Sequence, residues 1–299
     1  MILPSRRDLT MLVTDAFVYL HQPKTGGTFV AEMLGAIHES RGLPMAIVTV
    51  EPGQEHALQP VPPGHAVRLM LGTRYQHGAR RDIPPPYRHL PVVATLRHPY
   101  DRYISQFEFA WWRVYPEMFG PIAEVQQRYP NYPELTFGEF VQLTNEVSVH
   151  RAADPDAPVP GFHTQQFIEY FFREPEQVWP VLGNAGALRA MFEGELRGLT
   201  FLDQANLNEE LATYMAGHGY SADEVGRIRD AGRIRPVHDH TGSDGWTQGY
   251  STRLGTTLGH RQLAEPASQV WRRYLSPDIR AFLADREQLL FEHFPQFDR

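Results

Sequence analysis

The sequence predicts an α/β protein, a single domain over residues 1–299 built on a central, mainly parallel sheet of about five strands flanked by helices. Three observations point there. Short β-prone apolar runs alternate with stretches of helical periodicity, and proline and glycine punctuate the joins. One of these runs passes through a glycine pair directly into an amphipathic segment.

Residues 1–14 carry two arginines and a short apolar cluster, and are read as a flexible N-terminus. The first strand is "AFVYLH" (16–21), closed by Pro23, Gly26 and Gly27. A helix follows, because Phe29, Val30, Met33, Leu34 and Ile37 recur at helical spacing, with Thr28 at its cap or first turn. "MAIVTV" (45–50), "AVRLML" (66–71) and "VVATL" (92–96) are the next strands. The last runs into a long helix with Tyr103, Phe107, Ala110, Trp111 and Val114 on one face and Asp101, Ser105, Glu108 and Trp112 on the other. Helices dominate residues 120–231, interrupted by a proline-rich loop (150–161) and the strand "LTFLD" (199–203). Residues 232–262 lack periodicity and form a long loop, and two helices, about 266–275 and 277–293, close the chain.

Composition narrows the function. The 28 basic and 35 acidic residues give a net charge of −7, which argues against a general nucleic-acid or acidic-membrane binder and makes any anion site local. With no cysteine there is neither a disulfide framework nor a thiolate metal site. No apolar run reaches signal-peptide or membrane-span length, so the reading is a soluble, cytoplasmic chain.

The stretch "FVYLHQPKTGGTFVAEML" (17–34) concentrates the chemistry. Glycines at a strand-to-helix turn free backbone amides for a phosphate, and the helix dipole adds to the attraction. Lys24, Thr25, Gly26, Gly27, Thr28 and Phe29 would form that cradle. In the phosphate loop of nucleoside triphosphatases the lysine follows the last glycine, whereas Lys24 precedes the pair and must meet a different atom. A second motif, "VVATLRHPYDRYISQFEF", sets Arg97 at a strand end and Ser105 one helix segment later, donors suited to a phosphate dianion.

Together the two motifs resemble those of sulfotransferases that use 3′-phosphoadenosine 5′-phosphosulfate, in which a PK[ST]GG[ST] turn follows the first strand and an arginine and a serine hold the 3′-phosphate. The resemblance implies a P-loop-like sulfotransferase architecture, Lys24 as a catalytic group, and Thr25, Gly26, Gly27, Thr28, Phe29, Arg97 and Ser105 as nucleotide-binding residues. It also implies that the phosphosulfate is the co-substrate, adenosine 3′,5′-bisphosphate the product, and that no metal is required. "FHTQQFIEYF" (162–171) and "LTFLDQANLNEELATYMAGHGY" (199–220) look like segments of carbohydrate sulfotransferases of the heparan sulfate 2-O and chondroitin types. The acceptor this suggests is a carbohydrate hydroxyl, with a phenol or alcohol metabolite as the alternative, or a non-catalytic nucleotide-binding protein that retains the fold.

In the resembling enzymes a histidine before the second motif is the general base, and here Thr73 stands at that position. His77, four residues on, is the candidate, with His65, His56 and Glu55 as rivals and His21 as a support of the loop. Arg74, Arg80 and Arg81 gather in the same segment and suit an anionic acceptor, or else form a solvated basic loop. Arg227, Arg229, Arg233 and Arg235 lead into the glycine-rich loop and would close over the nucleotide. His238 and His240 lack the further ligands of a metal site, and Trp111 with Trp112 is either a stacking platform or one core and one boundary residue.

Overall fold

A computed structural model of the chain describes residues 11–50, 53–71, 77–147, 159–231 and 267–297. Its strands are β1 (Met11–Thr14), β2 (Val18–Leu20), β3 (Ala46–Val50), β4 (Ala66–Leu71), β5 (Val92–Leu96) and β6 (Leu199–Asp203). They form one sheet in the order β3-β4-β1-β2-β5-β6. β1 pairs antiparallel with both β2 and β4, while β2 with β5, β3 with β4 and β5 with β6 are parallel. Five strands therefore end at the same edge, and the loops that leave them there are neighbours.

Among the described residues the sheet has six strands where about five were expected, and the addition corrects the reading of residues 11–14 as flexible: Met11, Leu12 and Val13 lie in its middle with almost no exposed surface. The reason is size. Four residues show no periodicity of their own, and a central strand is apolar on both faces. Residues 1–10 lie outside the described residues.

Alternation along the strands builds two cores. Leu12, Tyr19 and Val93 face α1 (Gly27–Ser40) and the later helices α8 (Leu207–Ala216) and α9 (Ala222–Asp230). Met11, Val13, Val18, Leu20, Leu69 and Ala94 face α6 (Phe162–Phe171), α7 (Ala185–Leu196) and the C-terminal helix Gln288–His293. A third, helical cluster gathers α2 (Pro99–Phe109), α3 (Trp111–Val114), α4 (Ile122–Arg128), α5 (Phe137–Glu146) and the helices Ala267–Tyr274 and Pro277–Arg286. The chain thus closes with three helices where two were expected, with a break at Glu287. None of the described helices is long and apolar enough to cross a membrane.

The long helix expected after β5 is also two. Ala110 adopts a left-handed conformation at φ 51°, so α2 stops and α3 restarts with a new phase. The face assignment fails beyond that point: Trp112 is the core residue, 1% exposed, stacked on Phe140 and donating its indole N–H to the Pro133 carbonyl at 2.9 Å. Trp111 is half-buried and stacks on Phe109. Trp112→Ala should therefore cost about 3–5 kcal/mol in urea unfolding, and Trp111→Ala less than about 1.5 kcal/mol. Equal losses would contradict the change of phase.

Candidate functional site

β2 delivers its chain end to the sheet edge at His21, and residues 23–26 turn before α1 begins at Gly27. The turn is left-handed twice, at Lys24 (φ 65°) and at Gly26 (φ 104°). A lysine in that region is strained, the kind of cost that collects at functional sites. Thr25 is buried and donates its hydroxyl to the Gln22 carbonyl at 2.8 Å, tying the turn to the strand end.

The glycine pair has a steric cause. A Cβ at Gly26 would lie 2.8 Å from Leu207 Cδ2, and one at Gly27 would lie 1.9 Å from His21 Cδ2. The His21 ring thus fills the space that any side chain at position 27 would need. Thr28 is exposed in the first helical turn, where amide N–H groups have no intrahelical acceptor. Phe29 does not belong to the cradle as expected: its ring is in the core, and its N–H bonds the Gly26 carbonyl at 3.0 Å.

The second motif meets the first. Arg97, at the end of β5, donates from Nη1 to the Lys24 carbonyl at 3.2 Å. Lys24 Nζ sits 3.7 Å from the centre of the Phe109 ring. Arg102, Ser105 and Phe109 share one face of α2 by their spacing of three and four residues, and that face meets the turn. Ser105 is part-exposed there. His98 caps α2 by accepting the Tyr100 N–H at Nδ1, 3.2 Å, and its Nε2 meets the Phe297 carbonyl at 3.0 Å.

Sequence reasoning missed Arg102. It is 3% exposed, donates from Nε to the Pro23 carbonyl at 3.3 Å and from Nη2 to Gln166 Oε1 at 2.6 Å. It missed Gln22, Gln106 and His163 as well: His163 is fully buried, meets Gln106 Oε1 through Nε2 at 3.0 Å, and lies on the Tyr103 ring at 3.9 Å. The available signal was polar residues at core positions of α6, "FHTQQF", which require partners.

His77 lies beside the turn, with its ring 4.6 Å from that of His21 in an edge contact. Its Nδ1 is buried without a hydrogen-bond partner among the described residues. His65 precedes β4 and so sits at the opposite edge of the sheet. Glu55 and His56 occupy a short helical turn on the crossover from β3 to β4. Thr73 and Arg74 lie outside the described residues, as do Arg233, Arg235, His238 and His240.

Two of the arginines expected at an acceptor are engaged elsewhere. Arg80 is buried and donates from Nη1 to the Glu195 carbonyl at 2.6 Å and to the Phe171 carbonyl at 3.3 Å, which makes it an internal brace. Arg81 pairs with Glu169 at 2.8 Å and Arg229 with Glu209 at 2.8 Å. Among the described residues no group of three or more acidic or histidine side chains could hold a metal ion.

The charge pattern suits an anion. Burial, with Arg97 close by, holds the Lys24 ammonium down to about 7. Burial and Arg102 lower His77 to about 4, and burial, with His77, Arg68 and Lys24 around it, lowers His21 to about 3. The acids of α2 are turned to other partners: Asp101 accepts from Trp271 Nε1 at 2.7 Å and Glu108 from the Tyr274 hydroxyl at 2.8 Å. A bound dianion would return Lys24 to its charged form.

No family model matches the chain, and no curated protein matches it in sequence. Among solved structures, that of mouse sulfotransferase SULT7A1 complexed with PAP is similar to it over 93% of this chain and 83% of that one, with 14% sequence identity and a TM-score of 0.45.

At about pH 8 the free lysine is mostly neutral, so a phosphate anion entering the cradle should take up as much as about one proton, and affinity should fall as pH rises above about 7. Calorimetry in buffers of different ionisation enthalpy reads the uptake. Heats independent of the buffer would mean that Lys24 is already charged.

Proposed function

We propose that this chain is a sulfotransferase that moves a sulfuryl group from 3′-phosphoadenosine 5′-phosphosulfate to an acceptor hydroxyl on a carbohydrate. The observation that carries the reading is the place of Lys24, at the front of a glycine turn with its carbonyl bound by Arg97 from the neighbouring parallel strand. The residues present fit the nucleotide. Gly26 and Gly27 keep side chains out of the turn, Lys24 supplies a cation, and Nη1 of Arg97 is fixed on the turn while Nη2 remains for a phosphate.

When bound, the phosphosulfate supplies an activated sulfuryl group on a phosphate leaving group. Lys24 would meet the negative charge on the leaving phosphate, as a preorganised donor on a rigid turn. The amides of Gly26, Gly27 and Thr28 and the Thr28 hydroxyl hold the 5′-phosphate, while Arg97 and Ser105 hold the 3′-phosphate. His77, neutral at physiological pH, accepts the acceptor's proton at its unpartnered Nδ1. Nothing in these residues separates a sugar from a phenol as acceptor, so the acceptor panel must contain both.

Calorimetric titration should show adenosine 3′,5′-bisphosphate binding far more tightly than adenosine 5′-monophosphate or magnesium ATP. No preference would end the sulfotransferase reading. Lys24→Ala should reduce turnover by roughly a hundredfold or more with modest loss of bisphosphate affinity. A phenol turned over in place of every sugar would replace the carbohydrate acceptor, and tight bisphosphate binding without transfer to any acceptor would leave a binding protein.

A further inference from the structure

Behind the turn lies a small cavity of about 10 Å³, close to the space of one water, lined by Gln22, Leu96, Arg97, Arg102, His163 and Phe167 among others. Three of its lining residues carry a buried polar atom with no hydrogen-bond partner among the described residues: Gln22 Nε2, Arg97 Nε and His163 Nδ1. They come from the end of β2, the end of β5 and the start of α6. Gln22 is 1% exposed and His163 fully buried, so bulk solvent does not satisfy them.

The donor and acceptor count selects the occupant. His163 Nε2 faces the Gln106 carbonyl oxygen and carries the ring proton, which leaves Nδ1 as an acceptor. Burial, with Arg102 and Arg97 nearby, keeps the ring neutral. Gln22 Nε2 and Arg97 Nε are donors. Two donors and one acceptor around a one-molecule cavity suit water, which accepts two hydrogen bonds and gives one. A halide would face the lone pair of Nδ1.

We propose that one water bound by Gln22, Arg97 and His163 fixes the Arg97 guanidinium, making Gln22 and His163 positioning residues for the 3′-phosphate. The proposal rests on the nucleotide-binding role of Arg97 given above. The water holds Nε, the Lys24 carbonyl holds Nη1, and the guanidinium plane is thereby set on two sides, so that Nη2 is aimed without further ordering when the anion arrives.

A crystal structure of the full chain should show a solvent peak within hydrogen-bond distance of all three atoms. Gln22→Met and His163→Gln should each weaken adenosine 3′,5′-bisphosphate binding by roughly tenfold while changing adenosine 5′-monophosphate binding by less than about twofold. His163→Asn, which keeps a polar atom near the place of Nδ1, should restore most of the bisphosphate affinity, and thermal melts would identify any variant that fails to fold. A dry cavity, a bromide peak in its place after soaking, or equal weakening of both nucleotides would overturn the proposal. If the unaltered protein itself fails to distinguish the two nucleotides, the sulfotransferase reading fails instead, and the solvent peak alone decides whether the water is there.

Discussion

The contact between the His21 ring and Gly27 is the constraint on which the rest depends. An imidazole seated where a Cβ would be obliges position 27 to be glycine. It also brings the start of α1 against the end of β2, so that the first helical amides open at the sheet edge. The left-handed residues 24 and 26 then follow, since the chain must reverse from strand to helix in few residues, and Arg97 braces the reversal from the next parallel strand. Remove the ring's seat and the lysine loses its fixed position.

Much of this was written in the order of residues. Strands 66–71, 92–96 and 199–203 appear at their expected limits because each is a continuous apolar run cut off by turn residues. The two motifs converge because β2 and β5 are adjacent and parallel, which interleaved strand and helix patterns already imply. What stayed hidden has physical reasons. β1 is too short to show a period, and a left-handed alanine, which no propensity announces, shifts the phase at Trp111 and Trp112. Arginines look alike in sequence, yet Arg80 braces α6 and α7 from within whereas Arg102 braces the turn. Only the long-range partner decides which.

The protein is acidic overall, yet Lys24, Arg97 and Arg102 meet at one strand edge. The repulsion is eased by Lys24 itself, whose ammonium is held down to about 7 by burial and Arg97, and by Asp101 and Glu108, which stand near Arg97 while each accepts a hydrogen bond from another side chain, Trp271 and Tyr274. Glu287, fully buried, performs a comparable task farther back: it accepts from the amides of His163 and Thr164 and from the Tyr103 hydroxyl, and so fixes the start of α6.

The C-terminal segment reaches the same region by another route. Phe297 offers its carbonyl to the histidine that caps α2, and Glu287 holds α6 from the junction of two closing helices. Leu290, Phe294 and Phe297 also pack in the core beneath β1, β2 and β5. One short segment therefore ties the starts of two helices to the sheet, although α2 and α6 are far from it in sequence.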